Sequence, residues 1–199
     1  APAQARRVVA VLDHLGIDRA HVAGNSMGGF VAATLAVDHP DRVRSLLLSD
    51  AVGVTQPEPS DAELAFREGR NPFLLDSVAD FPDFYAMTMA RPPFLPGFLR
   101  AAVAADYVAR RDQLEEIFRD FHGVASLDER LGEVRAPTLV MWGEEDRLVH
   151  PSTARVWAEG IAGARTVTYP GVGHMPMLEV PALSAADHRA FLSGLSRVR

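Results

Sequence analysis

The sequence contains no cysteine and no run of apolar residues long enough to cross a membrane. Without cysteine there is no disulfide framework, no thiolate nucleophile and no cysteine-based metal site. A membrane-spanning helix needs about 18 or more consecutive apolar residues, and the sequence has no such stretch. The chain as given is therefore expected to be soluble and cytoplasmic. Membrane association is expected only through a segment upstream of it.

Positive charge is also scarce. The 20 basic residues are outnumbered by 26 acidic ones, which gives a net charge of −6, and the basic residues form no run. Proteins that bind nucleic acid usually present a basic patch to the phosphates, so no nucleic-acid partner is predicted. Hydrophobic residues make up 48% of the chain and charged residues 23%, which is typical of a globular domain with a substantial core.

A glycine-rich stretch at residues 24–29 (GNSMGG) lies between two apolar runs, at 20–23 and 30–37. The runs predict a buried strand followed by a helix, and a serine with glycines two residues before and after it at such a junction is the nucleophile-elbow pattern. The strained turn predicts that Gly24 and Gly28 must lack side chains. The Met27 amide, at the helix start, is predicted to donate to an oxyanion. No lysine follows the glycines, which argues against a phosphate-binding loop.

Apolar runs at 43–49, 138–142 and 165–169 predict further buried parallel strands separated by helices, so the fold class is α/β. Between them, residues 53–133 are rich in proline, carry helical patterns and show no comparable strand; the clearest helix there is predicted at 101–118. We therefore divide the chain into a core at 1–52, a helical insertion at 53–133 and a second core part at 134–199. The insertion either packs its own small core or forms a cap over an apolar substrate pocket.

Three polar residues fall at the carboxyl ends of separate predicted strands: Ser26, Asp146 and His174. Open parallel sheets bind ligands at that edge. The pattern predicts Ser26 as a nucleophile, His174 as its general base and Asp146 as the acid that orients the histidine, in the chain order of the α/β-hydrolases. Other acids compete with Asp146 for this role: Glu144, Glu145 and Asp50.

The motifs at 24–29, 142–147 (WGEEDR) and 171–174 (GVGH) together resemble the α/β-hydrolase superfamily. Within it, the insertion and residues 174–179 (HMPMLE) resemble bacterial lipases related to monoacylglycerol lipase and lysophospholipase. The resemblance implies an α/β-hydrolase fold with a helical cap, and cleavage of carboxylic esters with apolar acyl chains through an acyl-enzyme on Ser26. The substrate would be a small-molecule ester or a lipid, with no cofactor and no metal. The predicted substrate-binding residues are Asn25, Met87, Phe94 and Met175.

The chain also departs from the superfamily, whose members have several strands and an oxyanion loop ahead of the elbow. Ser26 comes early in this sequence, so we expect the C-terminal part of a longer hydrolase, with four parallel strands and the elbow strand at an exposed edge. The second oxyanion donor is expected to be missing, and loss of one donor lowers rates by about 10²–10³-fold in known cases. Two alternatives remain: a carbon–carbon bond hydrolase acting on a diketone from aromatic ring cleavage, and an inactive hydrolase fold that serves as a binding module.

Overall fold

The computed structural model describes residues 1–122 and 124–195. In these residues the helices and strands alternate in the first and last parts of the chain, and helices occupy the middle. The elements in chain order are α1 (Pro2–His14), β1 (Ala20–Asn25), α2 (Met27–Asp38), β2 (Val43–Ser49), α3 (Asp61–Arg67), α4 (Phe81–Thr88), α5 (Gly97–Ala109), α6 (Arg111–His122), β3 (Thr138–Gly143), α7 (Ser152–Gly160), β4 (Arg165–Tyr169), α8 (Pro176–Glu179) and α9 (Pro181–Leu195). Short 3₁₀ turns lie at Pro40–Arg42, Val78–Asp80 and Asp128–Glu133.

The strands form one parallel sheet in the order β1-β2-β3-β4. The predicted four parallel strands and the edge position of the elbow strand are confirmed for the described residues. Because β1 is an edge strand, its residues alternate between exposed and half-buried, whereas β3 is buried along its whole length. The prediction that the elbow strand is buried is therefore wrong, since that prediction assumed a neighbour on each side.

The helix predicted at 101–118 is in fact two helices, α5 and α6, which meet at Arg110. The residues next to Arg110 include no glycine or proline, so no residue in the sequence marks a helix break there. The two halves serve different packing partners: Ala104 and Tyr107 of α5 pack with a small cluster around Phe84, whereas Phe121 of α6 packs against the main core. The break allows each half to turn its own apolar face.

The main core lies between the sheet and α2, where almost every residue of the helix from Gly29 to Val37 is buried. Trp142 of β3 and Trp157 of α7 are fully buried, and their indole N–H groups donate to backbone carbonyls of Val149 (3.2 Å) and Ala51 (3.1 Å). Buried indoles usually find such partners. These bonds attach the loops that follow β2 and β3 to the core. The core therefore fixes the carboxyl-terminal edge of the sheet, where the polar residues lie.

Candidate active site

Ser26 lies at the junction of β1 and α2 in a left-handed backbone conformation, with φ 53° and ψ −122°. A non-glycine residue held in such a region is strained by about 1–3 kcal/mol and persists only where its surroundings fix it. The surroundings here are backbone bonds: the Ser26 amide donates to the Ser49 carbonyl at 3.0 Å, and the Val52 amide donates to the Ser26 carbonyl at 3.3 Å. The end of β2 and the loop that follows it therefore hold the turn that presents the serine.

The close approaches at this turn involve one of the two predicted glycines, Gly24, and one other, Gly29. A Cβ on Gly24 would lie 2.2 Å from the Gly28 carbonyl oxygen, and a Cβ on Gly29 would lie 2.4 Å from the Ala51 Cβ. A Cβ on Gly28 would have nothing within 4 Å. The prediction is correct for Gly24 and wrong for Gly28, because the tight contact at that point is made by the backbone of Gly28 and the position that must lack a side chain is Gly29.

Asp146 and His174 are joined directly. His174 Nδ1 lies 2.8 Å from Asp146 Oδ2, and only 5% and 4% of the two residues is exposed. The other carboxylate oxygen, Asp146 Oδ1, accepts the amides of Leu148 (2.9 Å) and Val149 (3.0 Å). The aspartate is therefore fixed by the loop after β3, and it in turn fixes the orientation of the imidazole. Glu144 and Glu145 are exposed, so the structure brings neither of these competing acids to the histidine.

Asn25 links the histidine to the serine turn. Its side-chain amide donates to the carbonyl of His174 at 3.1 Å and to the carbonyl of Ser49 at 3.2 Å. Asn25 immediately precedes Ser26, so the residue before the serine holds the backbone of the histidine loop. This bonding uses the amide nitrogen of a side chain that we had predicted to contact substrate.

Asp50, the third acid considered from the sequence, is fully buried beside the pair and has a positive φ of 47°. Its Oδ1 accepts the Gly143 amide at 2.8 Å, and its Oδ2 accepts the Ser49 hydroxyl at 2.7 Å. Burial, followed by the nearby charge of Asp146, raises the pKa of Asp50 well above its ordinary value. The structure thus places two acids of different surroundings at one site, and the histidine bonds to Asp146.

Donor atoms of Asp50, Asp146 and His174 lie within 4.8 Å of one another, a spacing that a metal ion could use. Each carboxylate oxygen of the two aspartates already accepts a hydrogen bond from a backbone amide, the Ser49 hydroxyl or the imidazole. A metal ion would have to displace several of these bonds. The arrangement fits a hydrogen-bonded acid–histidine pair better than a metal centre.

A cavity of about 450 Å³ opens beside Ser26 and Met27. Its other walls are mainly apolar and come from the loop after β2, from α3 and α6 and from the chain between α3 and α4. The principal aromatic and aliphatic side chains are Phe30, Phe66, Phe73, Leu114, Phe118 and Phe121. On α6 the lining positions 114, 117, 118 and 121 follow helical spacing and so form one face. This cavity can bury a chain of methylene groups next to the serine.

The remaining predicted site residues are dispersed. Met27 is the first residue of α2, so its amide has no partner within the helix and points out from the helix start. Met87 borders a separate surface depression with Asp61 and Arg147, and Phe94 is 91% exposed; neither lines the cavity beside Ser26. Met175 precedes α8 and is half-buried.

Sequence reasoning missed most of the aromatic lining. Phe66, Phe118 and Phe121 face the cavity, but a phenylalanine at helical spacing equally fits an ordinary core. The sequence signal for this lining is the apolar face formed by four residues of α6. The prediction of one helix across α5 and α6 obscures that face. In the described residues, no helix is both long enough and apolar enough to span a bilayer.

Comparisons with known proteins agree with this architecture. A family model described as "alpha/beta hydrolase fold" matches residues 2–181. Lipase 3 of Moraxella sp. (strain TA144) is 33% identical over 99% of this chain and 64% of its own length. The 2-hydroxymuconate semialdehyde hydrolase of Pseudomonas sp. (strain CF600) is 33% identical over 93% of this chain and 66% of its own length.

A crystal structure of a membrane phospholipase A, described as a bacterial virulence factor, is similar with a TM-score of 0.94 and 33% identity. The match covers 98% of this chain and 63% of that one. The chain thus spans somewhat less than two thirds of the length of the relatives it matches. The family model covers nearly all of the sequence, and the parallel sheet with its serine turn has the corresponding architecture. The chain belongs to the α/β-hydrolase family.

Proposed function

We propose that this protein is a serine hydrolase that cleaves carboxylic esters with apolar acyl chains through an acyl-enzyme on Ser26. His174 takes the proton of the serine hydroxyl as the serine attacks the ester carbonyl, and it returns that proton to the departing alcohol. Asp146 holds the imidazole in the productive tautomer and stabilises the imidazolium. The Met27 amide donates to the oxyanion. Water then attacks the acyl-enzyme with the same histidine as base, which releases the acid and restores the serine.

The observation that carries this proposal is the buried His174–Asp146 pair, held through Asn25 to the strained turn of Ser26. A serine hydroxyl is a weak nucleophile at neutral pH, so it needs a base whose orientation is fixed. The 2.8 Å bond from the histidine to a carboxylate that two amides also fix supplies this orientation. The backbone strain at Ser26 also supports its role as the nucleophile, since such strain tends to occur at active sites.

The cavity supports the choice of substrate class. Its walls are mostly aromatic and aliphatic, and it begins at Ser26, so an acyl chain bound there would lie with its carbonyl beside the serine. We further propose that the helical segment 53–133 acts as a cap, because α3 and α6 supply walls of this cavity. The similarity to a lipase at 33% identity also supports ester hydrolysis.

A second candidate is hydrolysis of a carbon–carbon bond in a ring-cleavage diketone. The similarity to a 2-hydroxymuconate semialdehyde hydrolase, also at 33% identity, favours it. Such a substrate carries a carboxylate or an enol oxygen, which would need polar or positively charged partners in the cavity. The described residues that line the cavity include polar side chains (Gln56, Ser60, Tyr107 and Ser126) but no arginine, lysine or histidine. Because a negatively charged substrate group would have no positively charged partner there, we rank this candidate second.

The test is hydrolysis of p-nitrophenyl esters of short, medium and long acyl chains, together with fluorophosphonate labelling of the serine. Ser26→Ala is expected to abolish both turnover and labelling. Ser193→Ala changes an exposed serine on α9 and is the matched control. We expect the medium chains to be preferred, because the cavity is apolar but of limited volume.

The assay also separates the alternatives. Turnover of a vinylogous 2-hydroxy-6-oxo-dienoate without turnover of esters would favour the carbon–carbon hydrolase. Absence of both activities, with no labelling at Ser26 in a folded protein, would contradict the serine-hydrolase proposal and leave a binding module. Since the chain spans only part of its relatives' length, the assay includes a version extended upstream to the full gene.

A further inference from the structure

Glu179, the last residue of α8, directs both of its carboxylate oxygens at backbone amides. Oε1 accepts the Gly173 amide at 2.8 Å, and Oε2 accepts the Arg91 amide at 2.7 Å. Gly173 immediately precedes His174, whereas Arg91 belongs to the extended stretch that follows α4 in the helical segment. One half-buried side chain therefore joins the histidine loop to the segment proposed as the cap.

The same two stretches of chain are in close contact beside Glu179. The His174 amide donates to the Thr88 carbonyl at 3.1 Å. A Cβ at position 173 would lie 2.6 Å from the Ala90 nitrogen and 3.0 Å from the Met89 Cα, so only glycine allows this approach. The backbone of the histidine loop thus packs directly on residues 88–90. Glu179 bridges the two backbones there, through the amides of Gly173 and Arg91.

The position of His174 depends on bonds from several parts of the chain. Thr88 accepts its amide, Asn25 binds its carbonyl and Asp146 binds its ring. Glu179 fixes Gly173, the residue before His174, and it also holds Arg91 against the histidine loop. Hydrogen bonds to an ionised carboxylate are roughly twice as strong as neutral ones, and here both are made by one carboxylate.

We propose that Glu179 is a positioning residue for His174, acting by clamping the histidine loop to residues 88–91 of the helical segment. This inference rests on the proposed function, in which His174 is the base that activates Ser26. Displacement of a catalytic group by about 1 Å can lower the rate by about 10²-fold. A clamp at the adjacent residue is therefore expected to act on turnover rather than on substrate binding.

The decisive variants are Glu179→Gln and Glu179→Ala. Glutamine keeps the size of the side chain, but its single carbonyl oxygen can accept only one of the two amides, and its NH₂ group faces the other donor. Alanine removes both bonds. Glu159→Gln, on the exposed face of α7, is the matched control because its side chain is 71% exposed and pairs only with Arg155 in the described structure.

We expect Glu179→Gln to lower kcat for the best p-nitrophenyl ester by roughly tenfold, and Glu179→Ala by up to about 10²-fold, with KM within about twofold of the parent. Thermal unfolding of each variant sets an assay temperature at which it is fully folded. If alanine prevents folding, glutamine decides the question. A folded Glu179→Gln protein with the parent's kcat would overturn the proposal.

A spectroscopic readout needs no ester turnover. The proton between His174 Nδ1 and Asp146 should give a downfield NMR signal in the parent, assigned with ¹⁵N-labelled histidine. We expect this signal to move or broaden in Glu179→Gln and to persist in Glu159→Gln. If the parent neither hydrolyses esters nor labels at Ser26, the proposed function fails, while a changed signal still supports the positioning role. An unchanged signal in a folded Glu179→Gln protein contradicts it.

Discussion

Asp50 is the residue at which burial and charge conflict most strongly. Its carboxyl group has no solvent exposure, and its nearest charged neighbour is another acid, Asp146. Burial raises the pKa of Asp50 above its ordinary value of 3.8, and the charge of Asp146 raises that pKa further. Burial and the charge of Asp146 thus favour the neutral form of Asp50, and these two effects outweigh the hydrogen bonds that its oxygens accept from the Gly143 amide and the Ser49 hydroxyl, which lower the pKa.

This has a consequence for stability against pH. Below the ordinary pKa of 3.8, Asp50 is protonated in the folded and unfolded states alike. As the pH rises above that value, the unfolded state ionises while the folded state stays neutral, so the free energy of unfolding falls until the folded-state pKa is passed. Each unit by which the folded pKa is raised corresponds to about 1.4 kcal/mol.

We predict that Asp50→Asn removes this pH dependence. Asparagine is neutral at every pH, its oxygen can accept the Gly143 amide, and its NH₂ group can donate to Ser49. The free energy of unfolding of Asp50→Asn should exceed that of the parent near pH 8, and the difference between the two proteins should narrow towards pH 4. Urea unfolding at several pH values measures both. Asp112→Asn on the exposed side of α6 is the control. Parallel pH profiles for the parent and Asp50→Asn would contradict a neutral Asp50.

At the scale of elements, the junction of β1 and α2 depends on which backbone atoms touch. The Gly24 Cα faces the Gly28 carbonyl so closely that an added methyl group would lie 2.2 Å from its oxygen and 2.3 Å from its carbon. Both atoms are backbone and cannot rotate away. Gly28 itself faces open space and has an ordinary helical conformation. The backbone contacts therefore exclude a side chain at Gly24 but leave room for one at Gly28.

We predict opposite effects for alanine at these two positions. Gly24→Ala should destabilise the fold by about 3 kcal/mol or more, because the turn must open to relieve the overlap. Gly28→Ala should be neutral or stabilising by up to about 1 kcal/mol, because alanine in a helix reduces the entropy of the unfolded chain. Urea unfolding of both variants checks the difference. A Gly28→Ala protein as unstable as Gly24→Ala would show that the turn is tighter than described.

The same elements indicate how far the sequence could predict the structure. The predicted bounds of strands β2 and β4 match those of the structure, because turn residues mark their ends. The pair of Asp146 and His174 was also foreseeable, since both follow parallel strands of one sheet. The division of α5 from α6 was not, because it depends on which distant cluster each apolar face meets. Nor were the clamp of Glu179 and the exposure of Phe94, which depend on how the 88–96 stretch runs over the histidine loop.

At the scale of the whole molecule, the sheet has two edge strands. Strands β2 and β3 each have a paired neighbour on both sides, whereas in the described residues β1 pairs only with β2 and β4 only with β3. The open edge of β1 presents backbone amides and carbonyls to solvent. The side chains along it include exposed His21 and Ala23 and bring no charged residue within the strand. An uncharged open edge invites pairing with another strand.

We predict that this 199-residue chain self-associates through β1 and that Ala23→Lys suppresses the association. Lysine on an edge strand carries a charge that opposes pairing with a second chain, and Ala23 is exposed, so the substitution should leave the fold intact. Ala23→Thr is the matched control, because threonine is uncharged and favours strands. Sedimentation velocity at rising protein concentration should give a mass above the monomer for the parent and for Ala23→Thr, and a monomer for Ala23→Lys. A parent that stays monomeric throughout, or a lysine variant that associates as strongly, would show that the β1 edge is protected by other means.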